Sequence, residues 1–271
     1  HNPEQIWKTV ESTLTSLVHR NDISSNEIAS IGITNQRETT VLWDKTTGRP
    51  ISNAIVWQDR RTSEFCDHLS SDLDIIHKKT GLILDPYFSA TKINWLLKNV
   101  EGARALAEKG DLLFGTIDTF LIWKLTNGKS HKTDITNASR TMLFNIVNQE
   151  WDADLLKIFD VPKQILPEVC DNASDFGSTS ILGGEVKIGG VAGDQQAALI
   201  GQCCFRSGET KSTYGTGCFV IVNTGSQCLF SNNKLLTTIA YRLNNEITYA
   251  LEGSIFVAGS AIQWLRDKLN F

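Results

Sequence analysis

Two short polar clusters each close an apolar run, and between them they hold the groups best suited to handle hydroxyls. Asp194, Gln195 and Gln196 follow Gly189-Gly190-Val191-Ala192-Gly193, which reads as a buried strand passing directly into a helix. Asn35, Gln36, Arg37 and Glu38 follow Ile31-Gly32-Ile33-Thr34 in the same manner. A carboxylate at the carboxyl end of a strand is well placed to meet a ligand in the crevice beyond the sheet. Asp194 could take the proton of a hydroxyl, while Arg37 donates to, and Glu38 accepts from, neighbouring ones. Such a site rejects analogues lacking a hydroxyl, because its own polar groups would be left stranded. Read locally, Arg37 and Glu38 serve equally well as a surface ion pair.

Weaker candidates surround these two. Trp57, in Ile55-Val56-Trp57-Gln58, is either plain core or an apolar wall along a carbon skeleton. Tyr87, in Asp85-Pro86-Tyr87, sits in a turn from which a phenol can point into a cleft. Thr213-Tyr214-Gly215-Thr216-Gly217-Cys218-Phe219 reads as a tight hairpin, whose glycines let backbone amides approach an anion. Gly259 and Gln263 lie one turn apart on the last helix, where glycine permits close approach and the glutamine could meet a ribose or phosphate. Neither a Walker loop nor a Gly-x-Gly-x-x-Gly fingerprint occurs, so any nucleotide would be held by another fold.

The elements that must position these groups alternate. Asn2-Pro3-Glu4 opens a helix as cap, first residue and first-turn acid, and Ile6, Trp7, Val10, Leu14, Leu17 and Val18 mark its apolar face. Strands are predicted over 28–34, 39–43 and 53–57, and helices over 62–70, 90–99, 102–109, 116–125, 151–159 and 194–202. Beyond a compositional shift at 205–209, strands are predicted over 219–223, 236–242 and 247–251, with a helix over 256–268. This order is that of an α/β protein.

The bulk numbers exclude more than they assign. A chain of 271 residues can bury a large core and hold more than one domain. The formal net charge of −4 leaves no basic surplus for nucleic acid, and no apolar run approaches membrane-spanning length. Six cysteines without a Cys-x-x-Cys pair, and scattered histidines, read as unpaired thiols and no zinc site.

Several segments match one family at length. They are Ile31 to Thr40, Asn53 to Gln58, Tyr87 to Asn99 with Lys92 and Trp95, Phe114 to Thr119, Thr136 to Asn145, Ala192 to Ala198, Tyr214 to Phe219 and Leu251-Glu252-Gly253. Together they resemble the FGGY carbohydrate kinases, most nearly those acting on glycerol, from His1 to Phe271. The resemblance implies the actin-like, ribonuclease-H-like fold of the sugar kinase/Hsp70/actin superfamily: two α/β domains closing over substrate, ATP and Mg2+. It implies that Arg37, Glu38, Tyr87, Asp194 and Gln195 bind the glycerol hydroxyls and that Trp57 and Phe219 sandwich the carbons. Asp194 would be the general base, Thr216, Gly259 and Gln263 would contact ATP, and no residue is assigned to the metal.

By the same resemblance, residues 1–204 are an amino-terminal, glycerol-binding domain lacking its first strands, and 205–271 the start of a carboxyl-terminal, ATP-binding domain. The family's Asp-x-Gly-Thr-Thr phosphate loop would lie upstream of His1 and its adenine-side glycine and asparagine beyond Phe271. The chain alone is therefore expected to turn over weakly or not at all, and to expose apolar faces on its first and last helices. An intact member is expected to be cytoplasmic and homo-oligomeric, with glycerol and ATP/ADP as partners. An inactive remnant, a split subunit, or a related kinase acting on a pentose or sugar acid are the alternative readings.

Overall fold

The structure, a computed structural model, describes residues 1–269. Helix α1 (Pro3–Arg20) is capped by Asn2, whose side-chain oxygen accepts from the amides of Glu4 and Gln5 at 3.0 and 3.2 Å. Ile6, Trp7, Val10 and Leu14 pack against a core containing Trp43, Phe120 and Trp123. Only the end of the apolar face, at Leu17, stands open, so α1 is better covered than its sequence suggested.

Strand β1 (Ile31–Asn35) begins after a short turn, Ser25–Glu27, which Ser24 and Glu27 close as a reciprocal cap. Arg37 and Glu38 form a turn, and the next strand, β2 (Val41–Asp44), begins two residues later than predicted. The strand predicted over 53–57 is absent. Ile55 makes one bridge to Thr40, while Ala54 spends its backbone groups on His1, so no ladder extends.

Helices α2 (Ser63–His68), α3 (Leu73–Thr80), α4 (Ser89–Asn99) and α5 (Ala103–Lys109) follow, then β3 (Leu112–Gly115), which pairs antiparallel with β2. Next come α6 (Ile117–Leu125), β4 (Lys132–Asp134), the single turn α7 (Ile135–Ala138), β5 (Phe144–Asn145), β6 (Glu150–Trp151) and α8 (Ala153–Ile158). Strands β7 (Glu168–Cys170), β8 (Ser178–Thr179) and β9 (Val186–Gly193) lead into α9 (Asp194–Gly201). Helix α3 and the short strands β3 to β8 carry too few periodic residues to stand out in sequence.

Two sheets matter for the site. In one, β9 lies between β1, to which it is parallel, and β8. In the other, β10 (Thr210–Tyr214), β11 (Cys218–Gly225), β12 (Leu236–Leu243) and β13 (Glu246–Ile255) form an antiparallel sheet in the order β10-β11-β13-β12. Strand β10 supplies the hairpin partner of the predicted Phe219 run. Helix α10 (Gly259–Leu269) has no buried residue and exposes Ile262 and Trp264, as expected of the last helix. The final two residues of the segment predicted over 205–271 lie outside the described residues.

Candidate active site

Parallel pairing brings the two polar clusters together. Asn35 stands opposite Gly193 in the β1–β9 register, so both strands end at the same edge and release Arg37 and Asp194 side by side. Arg37 Nε lies 3.5 Å from Asp194 Oδ1. Glu38 follows with a φ of 59°, a left-handed conformation uncommon for a non-glycine residue, which turns its side chain back into the protein. Gly193 makes the approach possible, since a Cβ there would stand 2.7 Å from Arg37 Cδ.

A buried network holds this junction. The Thr136 hydroxyl accepts from the Gly193 amide at 3.0 Å and donates to Asp134. Asp134 also accepts from Asn137 and Asn172 side chains at 2.7 and 2.9 Å, and Asn137 exchanges hydrogen bonds with Asn35 at the end of β1. Burial and the nearby Asp118 carboxylate raise Asp134 to about 7. The β9–α9 corner that presents Asp194 is thus tied to the end of β1 by side chains as well as by the ladder.

Arg37, Glu38, Tyr87, Asp194, Gln195, Trp57 and Phe219, with Gln36, line a cavity of about 50 Å³. Two wider surface hollows, of about 510 Å³ beside Val18 and Leu182 and about 630 Å³ beside Trp7 and Trp123, include none of these residues. Within the small cavity the Asp194 side chain is 45% exposed, whereas those of Arg37 and Glu38 are 2%. Gln195 holds both Asp194 oxygens, its amide reaching Oδ1 at 2.8 Å and its side-chain nitrogen Oδ2 at 3.2 Å. Trp57 meets Tyr87 and Phe219 edge to face, each at 5.9 Å between centroids. Trp57 and Phe219 therefore form a corner instead of the parallel plates that a sandwich would require.

Behind the cavity lies a charge network that the sequence analysis did not assign. Glu252, on β13, accepts from both terminal nitrogens of Arg37 at 2.7 and 2.8 Å and from Arg140 at 3.1 Å. Arg140 donates in turn to Glu38 at 2.7 Å. Burial would raise Glu252, but Arg140 and Arg37 outweigh it and hold this carboxyl at about 2. Burial pushes Glu38 upward, opposed by the same two arginines. Arg37 also donates to Gln196 at 3.2 Å and to the Tyr87 hydroxyl at 3.4 Å. With its terminal nitrogens so engaged, the guanidinium faces Asp194 through Nε. Glu252 and Arg140 lie inside matched segments; a lone carboxylate in the apolar run 247–255 was the available signal. Phe256, packed on Trp57 and Tyr87, gave none.

Thr216 and Gly259 meet at a second place, apart from the cavity lining. The turn Gly215-Thr216-Gly217 offers carbonyls to the start of α10: Gly215 O accepts from the Gly259 amide at 3.0 Å, and Thr216 O from that of Ala258 at 2.9 Å. A Cβ on Gly259 would stand 2.4 Å from Gly215 O. Gln263 is exposed one turn along α10.

Residues 1–201 match the FGGY family of carbohydrate kinases, N-terminal domain, and the chain belongs to that family. Glycerol kinases of Rhizobium meliloti and Alteromonas mediterranea are 62% and 61% identical to it, each aligned with 100% of this chain. The alignment takes in 55% and 56% of those proteins, so the chain spans about half the length of the curated relatives it matches. The crystal structure of Plasmodium falciparum glycerol kinase with ADP superposes with a TM-score of 0.92 at 40% identity, covering 100% of this chain and 56% of that one. A xylulose kinase from Lactobacillus acidophilus, at 22% identity, gives 0.85 over 99% of this chain and 54% of its own, a likeness of fold. The fold is the actin-like ATPase fold that the sequence suggested.

Proposed function

We propose that this chain carries the polyol-holding part of an ATP:glycerol 3-phosphotransferase. The observation that supports the reading best is the half-exposed Asp194 carboxylate at a small cavity where Arg37, Glu38, Tyr87 and Gln195 are buried and hydrogen-bonded. Phosphoryl transfer asks mainly for positioning and charge stabilisation, with one proton acceptor near the attacking hydroxyl. Asp194 would take the proton of a primary hydroxyl as its oxygen bonds to the terminal phosphorus of ATP. The bond from that phosphorus to the bridging oxygen breaks, and ADP leaves with the electron pair.

Arg37 Nε and the Gln195 side chain would donate to hydroxyl oxygens, and Glu38 and Tyr87 complete the ring of polar contacts. The Trp57–Phe219 corner would shield the carbon chain, and its narrowness favours a triol over a pentose or sugar acid. Thr216, Gly259 and Gln263 would face the nucleotide. Residues 1–204 would form the glycerol-side domain and 205–271 the opening of the ATP-side domain. Among the described residues no cluster of His, Cys, Asp or Glu forms a metal cage. Mg2+ carried by a nucleotide keeps most of its ligands from phosphates and water and needs only one or two carboxylates. Such an ion would neutralise phosphate charge, and Asp194 stays free to act as the proton acceptor. The intact enzyme would be cytoplasmic and self-associating; no described helix is long and apolar enough to cross a membrane.

Calorimetric titration of the chain with glycerol and with D-xylulose tests the reading. Saturable binding of glycerol, no binding of xylulose, and about tenfold weaker binding by Asp194→Asn are expected, the worth of one charged hydrogen bond. A folded chain indifferent to glycerol would overturn it. An ADP-release assay should find little turnover by the chain alone.

A further inference from the structure

Lys211 is a buried cation to which the reaction above gives no role. Strand β10 alternates, with Thr210 and Ser212 outward, so Lys211 and Thr213 turn inward. The Lys211 side chain is 1% exposed and its ammonium donates to Thr213 Oγ1 at 3.0 Å and to Gln195 Oε1. An ammonium has three protons and no lone pair, so only the oxygen of a carboxamide can face it. That contact fixes the choice between the two amide orientations, which heavy-atom positions alone leave open. With its oxygen turned to Lys211, Gln195 presents its NH2 group to Asp194 Oδ2 at 3.2 Å.

We infer that Lys211 is a positioning residue that locks the Gln195 carboxamide, so that this side chain offers the cavity an N–H donor and no acceptor. The inference rests on the polyol reading for its consequence: with Gln195 Oε1 occupied, the side-chain acceptors left for substrate hydroxyl protons are Glu38, Asp194, the Tyr87 oxygen and the Gln36 carboxamide oxygen. A hydroxyl lying over Gln195 must then present its oxygen, which orients a triol in the cavity. Lys211 is faced by Glu252 from β13, Arg37 from the turn after β1, Asp194 from α9 and the Cys204 thiol. Burial lowers Lys211 to about 8, with Glu252 opposing the shift, so the lock should weaken just above neutral pH.

The test is a pH titration of the full chain labelled with 13Cδ-glutamine, with the Gln195 signal assigned through Gln195→Glu. The wild-type signal should move with a midpoint near 8 as Lys211 loses its proton. Lys211→Arg should hold the signal in place without that titration, and Lys211→Met should displace it and weaken glycerol binding about tenfold. A wild-type Gln195 signal flat from about pH 6 to 11, a range that takes in the ordinary lysine value, or one that Lys211→Met leaves unmoved, would overturn the inference. Should Lys211→Met fail to fold, the wild-type and Lys211→Arg titrations decide. If Gln195 titrates as expected but glycerol perturbs nothing, the positioning role stands and the polyol reading falls.

Discussion

Glu252 grips Arg37 by both terminal nitrogens, at 2.7 and 2.8 Å, across 215 residues of sequence. Arg140 shares the same carboxylate at 3.1 Å, and all three side chains are buried. This ion cluster joins β13 to the turn after β1 and aims the remaining face of Arg37 at Asp194. Buried ion pairs are weak contributors when compared with apolar packing, but removing one partner strands the other.

Glu252→Ala should therefore cost about 3–5 kcal/mol, because two buried guanidinium groups lose their shared counter-charge. Urea denaturation of the chain measures it. A loss below about 1 kcal/mol would mean that water enters and solvates the arginines, and that the cluster does not anchor the site.

Gly193→Ala tests the same geometry from the other side. The new methyl would meet Arg37 Cδ and Cγ at 2.7 and 2.8 Å and Gln196 Oε1 at 3.0 Å. Gly193 has a φ of −58°, so alanine brings no backbone strain and any penalty comes from the contact. Arg37 cannot swing clear while Glu252 holds its head. Stability should fall by about 1–3 kcal/mol and glycerol affinity by tenfold or more, read by thermal melting and calorimetry. Unchanged affinity would show that the position of Arg37 is immaterial to binding.

The Asp118–Asp134 pair predicts a pH dependence of stability. Burial raises both carboxyls, and the Asp118 charge further raises Asp134, to about 7. The folded protein thus keeps a proton that the unfolded chain releases near pH 4, so this contribution to stability is full below about pH 4 and lost as pH rises towards 7. Asp118→Asn removes the like charge; its amide oxygen can keep the bond from Asn35 at 3.3 Å, while the Thr116 and Thr133 hydroxyls rotate to suit the amide. Denaturation midpoints between about pH 4 and 7 should fall less steeply in this variant than in the wild type. Equal slopes would remove the pair from the account.

At the hairpin–helix junction, Gly259→Ala would drive a methyl to 2.4 Å from Gly215 O, a backbone atom that cannot step aside. Hydrogen exchange at the Ala258 and Gly259 amides should accelerate about tenfold or more as the start of α10 lifts from the turn. Gly201→Ala, where nothing lies within 4 Å, is the control and should leave exchange unchanged.

Much of the local structure was legible in sequence because its causes are local. Asn2 and Pro3 start α1 through hydrogen bonds two and three residues away, and the glycines around Thr216 make a hairpin turn whatever lies beyond it. The polar clusters after Ile33 and Val191 marked two strand ends, and the length of the family matches named the fold. The predicted strand over 53–57 failed because alternation cannot reveal whether a partner strand is present; Ile55 found one bridge and nothing more.

What tertiary structure alone decided is which groups meet. Parallel register set Asn35 against Gly193 and so placed Arg37 beside Asp194. Glu252, Arg140 and Lys211 entered the site through contacts that no local pattern encodes, since their buried charges became tolerable only when the fold supplied partners. Residue types and spacing determined the chemistry available to this chain; packing over hundreds of residues determined which carboxylate stayed half open at the cavity and which were committed to the buried ion cluster behind it.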